Sequence, residues 1–342
     1  MNKLIRNFMP FSVIFLTFVV LAGCGGEDAT SGDSTASSEK GIKTFKISHV
    51  TQESHIWHKT AEKFSEELEE LSDGKMNAEI YPAAQLGLEK DMIQQLETGS
   101  LDFGFLTNAY MSTRQESLNA WFMPFVFNDL EEAAEMRESD ATRAMLDELS
   151  SQGLVGLDFI FAGNRHILLS EENVENAESL KGKKMRIIGS PAMQDFWDEL
   201  EAGPTAMPLS EVYTSLQTGV IDGIDIDLDA LVTEKYYENA NYLTLTNHMT
   251  FPAVIVMGEQ TLNSLTDEEE TIVREAMEKA VDWGIEESIK REEENLEQLI
   301  ELGVNVEELE QDDSFKEVAD IIKDKYSNDS DTIKQFLEEA SQ

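Results

Sequence analysis

The stretch “TFKISHV” (44–50) decides the fold together with “HIWHKTAEKFSEELEELSDG” (55–74), which follows shortly after it. The first stretch alternates between apolar and polar residues, a period of two that predicts a β-strand. The second predicts an α-helix that stops at Gly74, because its apolar residues recur at helical spacing. Those apolar residues are Ile56, Ala61, Phe64, Leu68 and Leu71. A strand that leads into a helix is typical of an α/β protein.

The same pattern continues downstream. “KMNAEIYP” (75–82) predicts the next strand, “EKDMIQQLETG” (89–99) a helix, and “LDFGFLT” (101–107) a third strand. Strands that alternate with helices favour a parallel sheet covered by helices, and ligands bind at the carboxyl ends of such strands. We therefore expect a site where residues 51–55 and 107–110 meet.

A second series of the same kind predicts a second lobe. After a helical stretch near 130–150, “KKMRII” (183–188) and “IDGIDI” (221–226) predict strands, and “PAMQDFWDEL” (191–200) and “LSEVYTSLQTG” (209–219) predict helices. The chain is long enough for two α/β lobes, each with its own core.

Two long extended stretches, 154–163 and 242–258, flank the second series and predict crossings between the lobes. Two crossings describe a hinge with a cleft between the lobes. A long amphipathic helix is predicted over 267–303, with its charged residues on a solvated face. The expected division is lobe 1 over 44–164 plus about 251–285, and lobe 2 over 165–250 plus about 286–342 with the C-terminal helices.

The N-terminus predicts export. Lys3 and Arg6 precede a short apolar run (8–20), which is followed by “LAGC” and the only cysteine of the chain, Cys24. This segment resembles a bacterial lipoprotein signal, which implies removal of residues 1–23, lipidation of Cys24 and an extracytoplasmic protein anchored to the cell membrane. Residues 24–43, rich in Gly, Ser and acids, would form a flexible tether. The alternative is an incidental or buried cysteine.

The composition excludes some classes of partner. The chain has 68 acidic and 26 basic residues and a formal net charge of −42. Nucleic acid is not an expected partner, because binding to phosphates requires basic patches. With 41% hydrophobic residues the chain is predicted to fold, so the acids are expected to lie on a solvated surface.

Arg186 is a charged residue inside an apolar predicted strand, “MRII”. A buried guanidinium requires an anionic partner, since an unpaired buried charge costs several kcal/mol. That partner is either an internal carboxylate or a ligand. The two parallel donors of an arginine match a carboxylate, so an arginine that faces the cleft is suited to bind an organic acid.

Polar residues at the predicted strand ends of lobe 1 are further candidates for ligand binding. They are Glu53, Ser54, His55, Thr107 and Asn108. Such side chains can form hydrogen bonds with the hydroxyls of a sugar acid, and helix starts favour anions. Ser54 is also a candidate N-cap of the following helix.

Several motifs carry a resemblance to a known family. They are “FSEELEELSDGKMNAEIYPAAQLGLEKDMIQQLETGSLDFGF” (64–105), “FMPFVF” (122–127), “LKGKKMRIIGSPAM” (180–193), “LSEVYTSLQTGVIDG” (209–223) and “LTNHMTFP” (245–252). In this order they resemble the extracytoplasmic solute-binding subunits of TRAP (tripartite ATP-independent periplasmic) transporters, the DctP family. The resemblance implies a periplasmic-binding-protein-like fold of two lobes joined by hinge strands, with a long helix across both lobes.

The resemblance also implies roles for individual residues. Arg186 would bind the carboxylate of the solute, assisted by Arg165, and Glu211 would hold the binding arginine or polar groups near it. His248 matches a position near the second crossing. The implied partners are a small organic acid and the membrane subunits of the transporter, with no cofactor and no catalytic residue.

This sequence departs from the family pattern at “DGIDID” (222–227), where members commonly have Asp-Gly-x-Glu-Asn. Ile226 replaces the asparagine that contacts the ligand, and the acid before it is Asp225, so Asp225 or Asp227 could take over the polar contact. Leu209 replaces a frequent aromatic residue. The solute implied is a sugar acid such as a uronate or aldonate, and the alternative is a C4-dicarboxylate or another small carboxylate.

Two other hypotheses, an enzyme and a calcium-binding protein, have less support in the sequence. A secreted enzyme that acts on acidic carbohydrates could use acids in a cleft, but no nucleophile, phosphate-loop or dinucleotide motif occurs in the sequence. “DIDLD” (225–229) resembles the start of a calcium loop, yet Ala230 and Tyr236 occupy the positions of its glycine and final glutamate. No metal site is expected.

Overall fold

Two β-sheets flanked by helices form the framework of the computed structural model, which describes residues 41–309 and 313–341. The strands are β1 (Lys43–Ser48), β2 (Met76–Tyr81), β3 (Phe103–Thr107), β4 (Leu154–Asn164), β5 (His166–Leu169), β6 (Lys184–Ile187), β7 (Gly203–Ala206), β8 (Gly223–Ile226), β9 (Tyr242–Leu245), β10 (Thr250–Gly258) and β11 (Asn305–Glu308). The predicted α/β class is confirmed.

The helices cover the faces of both sheets. They are α1 (Ile56–Leu71), α2 (Glu89–Thr98), α3 (Asn108–Met111), α4 (Leu130–Glu135), α5 (Asp140–Glu148), α6 (Pro191–Glu199), α7 (Leu209–Gln217), α8 (Leu228–Thr233), α9 (Glu259–Asn263), α10 (Asp267–Glu301), α11 (Asp313–Asp329) and α12 (Asp331–Ala340). A 3₁₀ helix over Glu116–Phe122 packs with them.

The strand order is β2-β1-β3-β10-β4 in the first sheet and β11-β9-β5-β8-β6-β7 in the second. β1 pairs in parallel with β2 and β3, as the sequence predicts. Both sheets are mixed, however, because β10 is antiparallel to β3 and β4, and β5 is antiparallel to β8 and β9. The strands that run in the opposite direction are β5 and β10. Each of them is the first strand that the chain enters after it has crossed from the other sheet.

Two strand-to-strand crossings join the sheets, and α10 joins them a third time through β11. β4 ends in the first sheet at Asn164 and β5 begins in the second at His166, so Arg165 lies at the crossing itself. The return runs from β9 through residues 246–249 to β10. The predicted fold, two lobes joined by hinge strands, is confirmed.

Helix α1 is preceded by His55, whose Nδ1 accepts a hydrogen bond from the backbone N–H of Trp57 at 3.1 Å. The histidine therefore caps the helix, and the exposed Ser54 does not. The helix gives way at Ser72 to a turn that ends in Gly74, whose φ of 75° is unstrained only for glycine. Its apolar face is buried against the first sheet and α10.

Helix α10 is the long helix predicted by the sequence. It starts with a capping box formed by Thr266 and Glu269, which satisfies two of the free backbone donors at its N-terminus. Helix α10 packs against α1 and β4 on the side of the first sheet and against α8 on the side of the second sheet. It then leads to β11, which pairs with β9 in the second sheet.

The last two helices connect different parts of the molecule. In α11, Lys325 and Tyr326 both contact Asp195 of α6, at 2.6 and 2.7 Å. In α12, Phe336 packs against Trp121 of the 3₁₀ helix, with ring centroids 4.9 Å apart. The final helix thus lies with elements of the first lobe, although residues 286–342 were expected to belong with the second. Its buried aromatic residue explains the difference, since it fills an apolar recess beside Trp121.

The predicted signal peptide (1–23), the lipidation site Cys24 and most of the tether (24–43) lie outside the described residues. Lys43, which was predicted as the last residue of the tether, already pairs with Met76 in the first sheet. Within the described part of the chain, no helix combines the length and the apolar character needed to cross a bilayer.

Candidate ligand-binding site

A cavity of about 330 Å³ lies between the two sheets and beside the first crossing. Elements of both lobes and of the crossings line it. Its polar lining residues are Thr51, Gln52, His55, Glu89, Lys90, Thr107 and Tyr110 on the side of the first sheet, Arg165 at the crossing, and Arg186, Ser210, Asp227 and Glu234 on the side of the second. The position matches the expected site at the carboxyl ends of β1 and β3.

Arg186 projects from β6 into the wall of this cavity and is only 1% exposed. Its Nε and Nη2 donate to the backbone carbonyl of Met207 at 3.1 and 3.0 Å. Its Nη1 has no hydrogen-bond partner among the described residues, and none of their carboxylates forms an ion pair with it. Burial lowers the pKa of Arg186 to about 10, so the side chain remains cationic at neutral pH. The cavity wall therefore carries a buried positive charge with a free donor.

Arg165, by contrast, is fully paired. Its Nε binds Oδ1 of Asp225 and its Nη2 binds the backbone carbonyl of the same residue, while Nη1 binds Asp227 Oδ2 at 2.9 Å. The guanidinium also lies over the ring of Phe251, 4.3 Å from its centroid. Two acids of the protein neutralise this arginine, so its main contribution to the cavity is a fixed shape.

Asp225 connects Arg165 to the second crossing. Its Oδ2 accepts hydrogen bonds from Trp197 Nε1 at 3.0 Å and from His248 Nε2 at 3.2 Å. Burial alone would raise the pKa of Asp225, but Arg165 and His248 hold that pKa well below its usual range. Neither Asp225 nor His248 lines the cavity, so the structure places both behind Arg165.

The candidates from lobe 1 divide into two groups. His55 and Thr107 line the cavity. Glu53 and Ser54 are exposed and lie outside the lining, because the loop turns outwards before α1 begins. Asn108 is fully buried, where its Nδ2 donates to the backbone carbonyl of Leu118 at 2.9 Å. The strand ends predicted the region correctly but not which side chains face the cavity.

Glu211 does not hold an arginine in place. It is exposed in the first turn of α7 and outside the cavity lining. The backbone carbonyl of Met207 holds Arg186 instead. A carbonyl acceptor carries no signal in the sequence, so this partner could not be predicted.

Two acids that line the cavity, Glu89 and Glu234, were not predicted from the sequence. Glu89 begins α2, where its Oε1 accepts a hydrogen bond from Thr107 Oγ1 at 2.9 Å. Glu234 follows α8 and accepts one from Gln52 Nε2 at 3.3 Å across the cavity. Burial raises the pKa of both carboxyls. In the sequence, Glu89 is marked only by its position at a predicted helix start. An acidic residue there more often stabilises the helix than binds a ligand.

The two departures from the family pattern both line the cavity. Ile226, at the end of β8, and Leu209, at the start of α7, form part of its apolar wall. Trp57 and Phe251 also contribute, with nearly parallel rings 6.1 Å apart. Among the described residues, no group of three or more His, Cys, Asp or Glu side chains is arranged to hold a metal ion.

Two α/β lobes that enclose a cavity with a buried arginine define a solute-binding protein of the periplasmic-binding-protein class. The family model DctP, described as bacterial extracellular solute-binding protein, family 7, matches residues 47–329. The chain belongs to this family, whose members are solute receptors.

Relatives agree with this assignment. A solute-binding protein of Sulfitobacter sp. (strain NAS-14.1) is 32% identical over 80% of this chain and 84% of its own. A TRAP periplasmic solute-binding protein from Sulfitobacter sp. NAS-14.1, solved with bound β-D-galacturonate, superimposes with a TM-score of 0.80 at 26% identity, covering 86% of this chain and 98% of the other. A protein of the same description and with the same ligand, from Xanthobacter autotrophicus Py2, has a TM-score of 0.81 at 27% identity, with coverages of 86% and 98%.

Proposed function

We propose that this protein is the extracytoplasmic solute receptor of a TRAP-type transporter and that it binds a sugar acid, a hexuronate such as D-galacturonate in the first place. The observation that carries the proposal is the buried guanidinium of Arg186, which lines the cavity without an internal carboxylate partner. Such a charge is costly in the unliganded protein and is compensated when an anion enters.

Arg186 is the proposed carboxylate-binding residue. Its Nε and Nη2 are directed at Met207, which fixes the plane of the guanidinium and leaves Nη1 for the ligand. A charge-assisted hydrogen bond in a site that excludes water is stronger than the same bond in bulk solvent. Arg165 supports the proposed site by holding its wall in place, since its own charge is already balanced by Asp225 and Asp227.

The remaining lining suits a hydroxylated acid. Glu89, Glu234 and Thr107 offer acceptors and Gln52 offers a donor, while Ile226 and Leu209 can pack against the C–H face of a sugar ring. A cavity of about 330 Å³ is large enough for a monosaccharide acid. The galacturonate bound by the relatives from Sulfitobacter and Xanthobacter supports the same choice.

One feature favours a second candidate, a C4-dicarboxylate. Lys90 lines the cavity as well, so a solute with two carboxylates could pair one with Arg186 and the other with Lys90. The acids Glu89 and Glu234 would repel a second negative charge, which is why a sugar acid remains the first choice.

The experiment that tests this proposal is isothermal titration calorimetry with D-galacturonate, D-glucuronate, D-galactonate and succinate. Binding of a sugar acid with recovery of the unchanged compound supports a receptor for that class. Preference for succinate supports the second candidate, and conversion of a sugar acid supports an enzyme. If none of the four compounds binds, the proposal is overturned.

Membrane anchoring through lipid on Cys24 is part of the same proposal, and docking on the membrane subunits of the transporter would follow closure of the lobes. We expect Cys24→Ser to release the exported protein from the membrane fraction into the medium or periplasm without changing its affinity for the solute. Fractionation of cells that express each form measures this. An unchanged membrane fraction of the variant would contradict the anchor.

A further inference from the structure

A carboxylate of the second lobe sits at the start of a helix of the first. Asp229 lies in α8 and is 3% exposed. Its Oδ2 accepts a hydrogen bond from the backbone N–H of Ile56, the first residue of α1, at 2.8 Å. A carboxylate in this position also interacts favourably with the positive end of the helix dipole. The contact joins an element beside β8 of the second sheet to an element beside β1 of the first.

The long helix α10 completes the arrangement. Arg291 donates from Nε to Asp229 Oδ1 at 2.8 Å, and its Nη2 binds the same oxygen. Nη2 also donates to the backbone carbonyl of Ser54 at 2.9 Å. Asn295, one turn further along α10, donates from Nδ2 to Asp229 Oδ1 at 3.1 Å. One buried carboxylate thus ties together α8, α10 and the loop that precedes α1.

This cluster reaches the cavity through His55. Because Nδ1 of His55 accepts the backbone N–H of Trp57, the neutral ring carries its proton on Nε2. Nε2 lies 3.6 Å from Asp229 Oδ2. Burial lowers the pKa of His55 even though Asp229 opposes the shift, so the ring is neutral at pH 7. His55 is therefore held between Asp229 and the space that the ligand would occupy.

We propose that Asp229 and Arg291 form a clasp between the lobes that retains the bound solute. If the lobes part, Asp229 loses the N–H of Ile56, and Arg291 cannot keep both Asp229 and the carbonyl of Ser54. The clasp exists only while the lobes are together, so it slows opening and hence release of the ligand. Asp229 is a positioning residue, since it acts through His55 and α1, and its role as a clasp for the ligand rests on the proposed function.

The test compares three variants of the full chain with the wild type by stopped-flow tryptophan fluorescence, with D-galacturonate as the probe. Asp229→Asn keeps an oxygen for the N–H of Ile56 but loses the charge that pairs with Arg291, and Arg291→Gln removes the other charge. The third variant combines the two. Lys290→Gln is the matched control, because Lys290 precedes Arg291 on α10 but makes only exposed ion pairs with Glu287 and Glu294.

We expect the dissociation rate to rise about tenfold in each single variant, with the association rate changed less than about twofold, and the double variant to resemble the singles. Lys290→Gln should behave as the wild type. An unchanged dissociation rate in Asp229→Asn, a loss confined to the association rate, or additive effects in the double variant would overturn the clasp.

A second measurement follows the contact itself in the protein with bound solute. With the sugar acid that calorimetry shows to bind, at saturating concentration, hydrogen exchange over residues 54–60 should be about tenfold faster in Asp229→Ala than in the wild type, because the N–H of Ile56 loses its acceptor. If no sugar acid binds the wild type, the proposed function fails. If one binds and exchange is unchanged in Asp229→Ala, the clasp is refuted while the proposed function stands.

Discussion

Arg165 and Arg186 lie on the wall of the same cavity, but only Arg165 is matched by carboxylates of the protein. Asp225 and Asp227 neutralise Arg165, whereas Arg186 is held by the carbonyl of Met207 and keeps a free donor at Nη1. Two arginines in one site therefore have different tasks. Arg165 connects the two crossings. Arg186 supplies the positive charge to which we propose the carboxylate of the solute binds.

Replacing Arg186 should separate binding from stability. We expect Arg186→Lys to weaken binding of D-galacturonate about 100-fold, because the ammonium keeps the charge but cannot bind the carbonyl of Met207 and also present a donor at the place of Nη1. Arg186→Met should abolish binding and stabilise the unliganded protein by about 1 kcal/mol, since it removes a buried charge without an anionic partner. Calorimetry and urea denaturation measure the two effects. Full affinity in Arg186→Lys would remove this residue from the proposed site.

The buried pair of Asp225 and Arg165 should contribute strongly to the stability of the fold. Asp225→Asn leaves Arg165 with Asp227 alone, so we expect a loss of about 2–4 kcal/mol in the free energy of unfolding. Urea denaturation measures this loss. Asp198→Asn is the matched control, since Asp198 is exposed and its carboxylate accepts a hydrogen bond from Gln194 within α6. Equal stability of the two variants would show that the buried pair contributes nothing.

Glu292 should make stability depend on pH. Its Oε1 accepts the backbone N–H of Asn164 beside the first crossing at 2.7 Å, and burial raises its pKa to about 7. The folded state therefore binds this proton more tightly than the unfolded state does. The resulting stabilisation is complete below the ordinary glutamate pKa of about 4.5 and is lost as the pH rises through about 7.

Relative to the wild type, Glu292→Gln should gain about 1–2 kcal/mol between pH 5 and pH 8, because glutamine keeps an acceptor oxygen but does not ionise. Urea denaturation at both pH values gives the difference. Glu293→Gln, at an exposed position of the same helix, should show no such gain. A stability difference between Glu292→Gln and the wild type that does not change with pH would contradict the assignment.

Gly284 lets α10 approach α1 closely. A Cβ at this position would collide with the side-chain oxygen of Thr60 and would lie 2.9 Å from Ile160 Cδ1. We expect Gly284→Ala to destabilise the protein by about 1–2 kcal/mol, since overpacking outweighs the better helix propensity of alanine. Glu278→Ala on the exposed face of α10 is the control in urea denaturation. Greater stability of Gly284→Ala than of the wild type would show that the helices can separate at little cost.

Secondary structure was the feature of the fold that could best be predicted from the sequence. The apolar periodicity that predicts α1 follows from one face buried against its neighbours, and that of α10 is carried mainly by its buried residues from Val273 to Ile285. Both helices occur close to the expected bounds. The direction of the strands was less predictable. β5 was not predicted, and β10 was predicted only as part of an extended crossing; the antiparallel pairing of both strands follows from the crossings between the lobes.

The side chains of the site were predictable only in part. Arg186 could be singled out because a charge in an apolar strand requires an explanation. Glu53 and Ser54 were expected to face the cavity but do not line it. Glu89 and Glu234 line the cavity, and Asp229 joins the lobes, although neither role was predicted. A polar residue at a helix start or in a loop looks the same in the sequence whether it faces solvent or a cavity.

The alternation of strands and helices in both lobes and the family resemblance followed from the amino-acid sequence, which also predicts an export signal, because periodicity and motifs are local properties of a chain. Only the tertiary structure decided which arginine is paired, which acids face the cavity and that Asp229 meets Ile56. Those relationships join residues far apart in the chain, and they depend on how two lobes pack against each other around a shared space.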